Sequence, residues 1–339
     1  MKSSSAAGRD ERLDLLRAWL AGPLAGAAFT LAPASADASF RRYFRVTLDG
    51  GTRIVMDAPP QRENCRPFVQ VAQLMRDAGL HVPEVLAADL DQGFLLLSDL
   101  GDTTYLKALN EDNAAVLFGD AISALIAWQR ASRPGVLPPY DRALLQREMD
   151  LFPEWYVGRH LGLTLSDAQR TMLTRINKLL ADSALAQPAV YVHRDYMPRN
   201  LMLSRPNPGV LDFQDAVYGP ITYDVASLFR DAFISWPEER VIDWAARYWE
   251  QAKRAQLPVD ADFGEFYRAL EWMGLQRHLK VLGIFARICY RDGKPAYLED
   301  TPRFLAYLRA VCARYAALTP LTQLLDELEQ HRPQVGYTF

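Results

Sequence analysis

The sequence predicts an α+β protein of two unequal lobes, a small β-sheet lobe followed by a mostly helical one. Three observations predict it. At 339 residues the chain is longer than one compact core accommodates and comfortable for two lobes. Its first hundred residues alternate short β-rich runs with hairpin turns, whereas long helical periodicities take over after Asp102. That helical half is interrupted once, by VYVHRDYMPRNLML and GVLDFQDA, strand-loop segments whose apolar flanks hold polar residues at their tips. The division falls at residues 1–100 and 101–339.

Leu13, Leu16, Trp19 and Leu20 recur at helical spacing from Arg12 to Leu20, and Gly22 with Pro23 closes that lead-in helix. An Ala-rich stretch from Ala25 to Ala38 carries no clear period. Phe40 to Leu48 and Thr52 to Met56 read as antiparallel strands around a turn at Asp49, Gly50 and Gly51. Phe68, Val71, Leu74 and Met75 give a helix from Pro67 to Ala78, with proline suited to its first turn and Gly79 to its C-cap. Val85 to Ala88 and Phe94 to Leu97 are two more strands, joined by Asp91, Gln92 and Gly93, so the first lobe reads as a small mixed sheet with one helix. Helices follow over Leu117 to Gln129, Ala143 to Trp155 and Leu165 to Leu180.

Composition excludes several classes of function. With 38 Lys and Arg against 41 Asp and Glu, the formal charge of -3 creates no global field for nucleic acid or an anionic membrane. No apolar run is long enough for a membrane helix, and no obligate protein partner is evident. The start, MKSSSAAGRDERLD, has no apolar segment of the kind a secretory signal requires, so a cytoplasmic location is expected. Cys65, Cys289 and Cys312 are far apart, and neither they nor the five histidines have metal-ligand spacing; buried thiols and no structural metal are expected.

The chemistry sits in the interruption. His193, Arg194, Asp195 and Asn200 stand as HRDxxxxN, and Asp212 follows an apolar strand within a DF pair. Phosphoryl transfer needs a carboxylate to accept the nucleophile's proton, and oxygen ligands to hold magnesium against the phosphates. Those residue types are present at that spacing. Alone, an Asp beside a His is weak; the strand flanks, the gap to Asn200 and the second Asp make the combination specific.

On these motifs the chain resembles the kinase-like superfamily, and within it the aminoglycoside phosphotransferase and choline kinase branch. HRDYMPRN is similar to that branch's HxDxxxxN loop, and LDFQDAVYGPITYDVASLFRD to its second motif. Protein kinases also carry HRD, but they place a long activation segment after the metal aspartate, whereas here Asp224 opens a helix twelve positions beyond Asp212. The resemblance implies a two-lobed protein-kinase-like fold with ATP and Mg2+ between the lobes. It makes Asp195 the base, His193 a support of its loop, Asn200 and Asp212 the metal ligands, and Asp224 a brace. It also makes LLLSDLG an interlobe hinge, where backbone groups of Ser98 and Leu100 would hydrogen-bond adenine. The first lobe departs from the pattern: there is no GxGxxG loop, and where a strand lysine would meet the phosphates RIVMDAPP offers Met56 and Asp57. DASFRRYFRV supplies Ser39, Arg41 and Arg45 as candidate phosphate contacts, with Arg41 and Arg45 on one strand face and Phe40, Arg42 and Phe44 on the other.

Over nearly its whole length, through MDAPP, EMDLFPEWYVGRHLG and LQRHLKVLGIFARICYRDGKPAYL, the chain looks like bacterial anomeric sugar kinases that phosphorylate N-acetylmuramate and N-acetylglucosamine in cell-wall recycling. An amino sugar is the small-molecule partner implied. Residues 265–294 carry six Lys or Arg against three Asp or Glu, and Arg277, Lys280, Arg287 and Arg291 fall at helical spacing, a stripe suited to an anionic acceptor. A solvated helix face explains any one of them as well. Trp155, Trp272 and Tyr290 are candidate stacking residues for a pyranose, and Glu148, Asp150 and His278 candidate hydroxyl ligands. An antibiotic- or choline-type kinase remains an alternative, as does a catalytically silent sugar-binding protein, which the missing lysine would permit.

Overall fold

The chain's structure, a computed structural model, describes residues 10–36 and 40–330. It opens with helix α1 (Glu11–Leu20), whose first turn is capped by Asp10 accepting from the Leu13 N–H. Strands β1 (Thr30–Ala36), β2 (Arg42–Leu48) and β3 (Gly51–Asp57), helix α2 (Arg66–Asp77), and strands β4 (Val85–Asp89) and β5 (Phe94–Ser98) complete the first lobe. The strands form one sheet in the order β1-β2-β3-β5-β4, every neighbouring pair antiparallel. The expected mixed sheet is thus corrected. Helix α2 returns the chain to the far edge, and the β4–β5 hairpin then lays β5 back beside β3.

Period-2 alternation gives this sheet two differently covered faces. Val46, Val55, Phe94 and Leu96 point to α1 and pack with Leu16 and Leu20. Met56, Leu95 and Leu97 point the other way and join Phe68, Val71 and Met75 of α2 in a core continuous with the helical lobe. Buried Asp57 pins α1 to the sheet, taking Arg12 Nε at 2.5 Å and Arg42 Nε at 2.8 Å on its two oxygens.

The helical lobe runs through α3 (Tyr105–Ala108), α4 (Ala114–Arg130), α5 (Arg142–Met149), a π-helical segment (Phe152–His160) and α6 (Asp167–Leu185). The helix expected from Ala143 to Trp155 is therefore split. Pro153 lacks the amide hydrogen and its ring crowds the preceding turn, so the ladder widens there. Two small hairpins carry the polar tips: β6 (Ala189–Val192) pairs with β9 (Val217–Pro220), and β7 (Leu201–Met202) with β8 (Gly209–Val210). Helices α7 (Tyr223–Phe229), α8 (Glu238–Arg254), α9 (Phe263–Asp292), α10 (Thr301–Cys312) and α11 (Thr319–Gln330) follow. None of the described helices is long and apolar enough to cross a membrane.

α9 is the lobe's central post, buried on most of its circumference from Leu270 to Ile288. It comes close to the chain between α5 and the π-helical segment, where a Cβ on Gly283 would stand 2.4 Å from the Leu151 carbonyl carbon. Gly283→Ala should therefore cost about 1–3 kcal/mol through overpacking. Gly119→Ala, in α4 with nothing within 4 Å of its Cβ position, should instead raise stability by roughly 0.5–1 kcal/mol. Urea unfolding midpoints check both; equal midpoints for the two variants would mean that α9 is not seated as described.

Candidate active site

The HRD segment leaves β6 and is held from behind by a carboxylate. Asp224, in the first turn of α7 and buried, accepts the His193 N–H at 2.7 Å and the Arg194 N–H at 3.0 Å. Burial raises its pKa to about 7 despite those two donors, which lower it. Arg194 sits at φ 76° and Asp212 at φ 63°, left-handed conformations that cost roughly 1–3 kcal/mol for side-chain-bearing residues unless the surroundings impose them.

His193 is a strut between the two motif segments. Its Nδ1 accepts the Asp195 N–H at 3.3 Å and its Nε2 donates to the Leu211 carbonyl at 3.0 Å, a pairing that only the neutral ring with hydrogen on Nε2 makes. Burial lowers its pKa to about 4, outweighing the pull of Asp195. It holds the Asp195 backbone against the strand end at Leu211.

Asn200 closes the loop. The 3-10 turn Pro198–Asn200 aims its Nδ2 at the Asp195 carbonyl, 2.9 Å away, and at Asp212 Oδ2, 3.5 Å away. With the amide nitrogen engaged, the Asn200 carbonyl oxygen and the Asp212 carboxylate face the same space. Gln214 Nε2 steadies Asp212 Oδ1 at 2.9 Å. This is an oxygen donor set for a hard cation; among the described residues no cluster of three or more His, Cys, Asp or Glu accompanies it. Two protein oxygens fit magnesium, which ordinarily completes its shell with phosphate and water.

A second carboxylate ties the loop to α9. Glu148 Oε1 takes Arg194 Nη2 at 2.5 Å and Lys280 Nζ at 2.9 Å, while Oε2 accepts from the Tyr140 hydroxyl and from Gln276 Nε2 at 3.2 Å. Burial pushes its pKa up, but Lys280 and Arg194 outweigh burial and hold it at about 2. Glu148, expected to ligate a sugar hydroxyl, is only 5 % exposed and filled by protein donors, so that role is corrected.

Asp195, Asn200 and Asp212 open onto a cleft of about 880 Å³ between the lobes. One half lies under the sheet, with Ile54, Leu97 and Pro83 facing Met202 and Leu211 across a slot suited to a flat base. The hinge residues Ser98 and Leu100 line it. Ser98 spends its N–H on the Glu84 carbonyl at 2.9 Å, whereas the Leu100 N–H has no protein partner among the described residues. Phe68 of α2 packs on Phe213 at 4.8 Å, joining the lobes beside Asp212. Arg45 is fixed by Asp99 at 2.7 Å and by the Gly101 carbonyl at 2.8 Å, and so braces the hinge, a correction to its expected phosphate role. Register explains this: Arg45 pairs with Ile54, and Ile54 with Leu97, which brings its side chain to the strand end. Arg41 reaches instead toward Asp212. Ser39 lies outside the described residues.

The other half of the cleft has an apolar wall of Phe233, Val281, Ile284, Phe285 and Tyr297. The expected stripe on α9 divides here. Arg277 and Lys280 line the cleft; Arg287 is half-buried outside it, where burial lowers its pKa, and Arg291 pairs with Asp292 at 2.7 Å on the surface. Trp155 packs against the core from the π-helical segment, Trp272 against Tyr315, and Tyr290 lies on the surface against His160, so none of the three faces the cleft. Asp150 bonds Gln146 at 2.7 Å. His278 borders a small void of about 10 Å³ with neither ring nitrogen bonded, and its pKa is driven well down by burial. Arg199 was missed by sequence reasoning, although it stands one position before Asn200. It lines the cleft with its guanidinium 4.9 Å over Phe233 and has no carboxylate partner among the described residues.

Residues 30–264 match the model of the phosphotransferase enzyme family. Over 323 residues the chain is 59% identical to the N-acetylmuramate/N-acetylglucosamine kinase of Pseudomonas putida, spanning 94% of each. It is 52% identical over 330 residues to the kinase of that name from Neisseria meningitidis, spanning 96% of this chain and 98% of that one. Among solved structures, the choline kinase of Streptococcus pneumoniae has a TM-score of 0.61 at 13% identity, covering 90% of this chain and 100% of that chain. An ADP-bound aminoglycoside phosphotransferase gives 0.57 at 13% identity, covering 86% and 97%. At those identities the likeness establishes the two-lobed protein-kinase-like fold.

The neutral state of His193 yields a pH prediction. Its pKa falls on folding from 6.5 to about 4, so the stability it contributes is present above pH 6.5 and lost as pH falls through 4. The full difference is roughly 3 kcal/mol. The stability gap between wild type and His193→Gln, from urea midpoints, should shrink progressively between pH 6.5 and 4. A constant gap across that window would show that the ring is not held neutral.

Proposed function

The chain belongs to the phosphotransferase enzyme family, and from that membership and its cleft we propose that it phosphorylates the anomeric hydroxyl of N-acetylmuramate and N-acetylglucosamine with ATP and magnesium. The setting is cell-wall recycling in the cytoplasm. The two sugars are those in the names of its relatives. The single observation that carries the acceptor is Arg277. It is 2 % exposed, lines the acceptor half of the cleft near the buried carboxylates of Asp224 and Asp231, and makes a long hydrogen bond, 3.4 Å, to the Arg230 carbonyl. Lys280, beside it, is held by Glu148 and the Tyr223 hydroxyl. Anion recognition therefore falls to Arg277 and Arg199, and a lactyl carboxylate suits them where a polycation does not. The carboxylate on that wall, Asp300, lies 3.3 Å from Arg303.

Asp195 orients the C1 hydroxyl and takes its proton as the oxygen bonds to the γ-phosphorus and ADP departs. The hemiacetal hydroxyl is more acidic than an ordinary alcohol because the ring oxygen withdraws charge, which eases that transfer. Asn200 and Asp212 would hold magnesium, which when bound neutralises and aligns the phosphate oxygens. The Asn200 bond to the Asp195 carbonyl keeps base and metal ligands in one register. Leu100 would receive adenine at the hinge, and the apolar wall excludes water from the acceptor.

Incubation with ATP, magnesium and N-acetylglucosamine should give a product that has lost its reducing end and releases phosphate in mild acid. A reducing, acid-stable product would mean transfer to C6 and end the anomeric reading. Phosphorylation of aminoglycosides or choline in place of either sugar would end the acceptor reading. Asp195→Asn should retain nucleotide binding and lose about 10²–10⁴-fold in turnover; near wild-type turnover would remove Asp195 from the role of base. Arg277→Gln should lower kcat/KM for N-acetylmuramate by about 5- to 100-fold more than for N-acetylglucosamine, the loss of one charge-assisted contact in a partly dry site. Parallel losses on both sugars would leave Arg277 without a part in carboxylate recognition.

A further inference from the structure

We propose that Asp231 is the positioning residue of the acceptor wall, a buried carboxylate that sets both of its arginines, Arg277 by charge and Arg199 through the turn that presents Phe233. The inference rests on the reading of that wall as the acceptor site and names what holds it in shape. Asp231 lies just beyond α7, is buried, and is not among the residues that line the cleft, so it acts through those that do. Its Oδ1 accepts the Phe233 N–H at 2.8 Å and the Ile234 N–H at 3.0 Å, which folds the chain between α7 and α8 into a turn. Phe233 leaves that turn into the cleft beside Phe285 at 6.0 Å and Tyr297 at 6.4 Å. The Arg199 guanidinium rests over its ring at 4.9 Å. Held by a ring face, a guanidinium keeps its donors for an anion. The place of Arg199 therefore follows that of Phe233, and the place of Phe233 follows the turn.

Arg277 reaches the same turn from α9. Its Nη1 donates to the carbonyl of Arg230, the residue before Asp231, at 3.4 Å. Two buried carboxylates act on it, Asp224 behind the catalytic loop and Asp231 at the wall. Burial raises the pKa of Asp231, against the pull of the Phe233 N–H and the Arg277 charge. Asp231 Oδ2 has no hydrogen-bond partner among the described residues, and a carboxylate so enclosed needs a counter-charge, which Arg277 supplies. The guanidinium of Arg230 is turned elsewhere, bonded to Glu238 at 2.7 Å. Without the Asp231 charge the balance on Arg277 tips toward Asp224 and the catalytic loop.

The test compares kcat/KM for N-acetylmuramate with that for N-acetylglucosamine in the full chain, alongside ATP affinity by titration calorimetry. Asp231→Asn keeps an oxygen for the two N–H groups but removes the charge, and should lower the N-acetylmuramate to N-acetylglucosamine ratio by about 3- to 10-fold. Asp231→Ala removes turn and charge together and should lower it by about 10- to 100-fold. ATP affinity should stay within about twofold in both. Arg199→Gln should then cost less ratio in the Asp231→Ala background than in the wild type, because Arg199 has already lost its seat. An unchanged ratio in either variant, parallel losses on both sugars, or full additivity with Arg199→Gln overturns the proposal. Thermal midpoints identify a folding defect in Asp231→Ala, and in that case Asp231→Asn decides, alone and combined with Arg277→Gln: its effect on the ratio must disappear once Arg277 is gone. A wild type that phosphorylates neither sugar ends the acceptor reading and the part of Asp231 in it. A wild type that phosphorylates both, with a ratio the variants do not move, ends the Asp231 proposal alone.

Discussion

The catalytic loop depends on one buried carboxylate. Asp224 takes the two consecutive N–H groups of His193 and Arg194, which fixes the backbone where Arg194 turns through a left-handed conformation. Everything beyond that point inherits the constraint. The His193 ring reaches forward to the Asp195 N–H and across to the Leu211 carbonyl. Asn200 reaches back to the Asp195 carbonyl, and Leu211 donates to the Asn200 carbonyl at 2.9 Å. Asp195, His193, Leu211 and Asn200 thus form one closed hydrogen-bonded circuit, with Asp212 next along the chain from it. Burying Asp224 has a thermodynamic sign. With its pKa raised from 3.8 to about 7, its contribution is complete below pH 3.8 and lost as pH rises through 7, opposite to that of His193. The loop therefore combines two buried groups whose pH dependences oppose one another.

Glu148 solves a different problem. The motif arginine points away from the cleft, and a guanidinium in a dry interior needs a counterion. A protein kinase of the related design has a long segment after its metal aspartate; here α7 begins too soon for one, and α5 supplies the carboxylate from within the lobe. By also taking Lys280, Glu148 connects the catalytic loop to the post on which the acceptor wall is built. Around this carboxylate and its two cations the Tyr223 hydroxyl accepts from Lys280, while Tyr140 and Gln276 donate to Glu148.

What the sequence made legible was local. The HRDxxxxN spacing and the DF pair identify their own surroundings, because the bonds among His193, Asp195, Asn200 and Asp212 span few residues. Strongly patterned elements such as α1, α2 and the β2–β3 hairpin were equally readable. β1 was not: TLAPASA is short of strand-forming residues and is a strand because β2 pairs with it. The acceptor half was illegible for a geometric reason. α9 is covered on nearly every side, so helical periodicity could not say which face meets the cleft, and Arg277 and Lys280 were grouped with Arg287 and Arg291. Glu148 was misplaced because Arg194 and Lys280, which take its carboxylate, lie far along the chain, and Trp155 and His278 because the fold packs them away from the cleft. Arg199 needed only its position beside Asn200 to be noticed.

Two arginines on the acceptor wall make sense once the charge of the reacting groups is counted. Asp195 and Asp212 carry negative charge into the cleft, and a bound nucleotide would add more. In the proposed reaction an acceptor carboxylate would enter against that field. At about 6 Å from Asp195 and an effective dielectric near 20, the repulsion from that one residue is roughly 3 kcal/mol. Magnesium, held by Asn200 and Asp212, would offset the phosphates and not the acceptor. Relief for the acceptor has to come from its own wall, where Lys280 is committed to Glu148 and Asp300 lies beside Arg303. Arg277, which faces Asp224 and Asp231 as well, and Arg199 are the arginines on that wall that would provide it. On that proposal a neutral sugar would enter without the repulsion and gain less from the arginines, so one wall would admit both acceptors while weighting them differently.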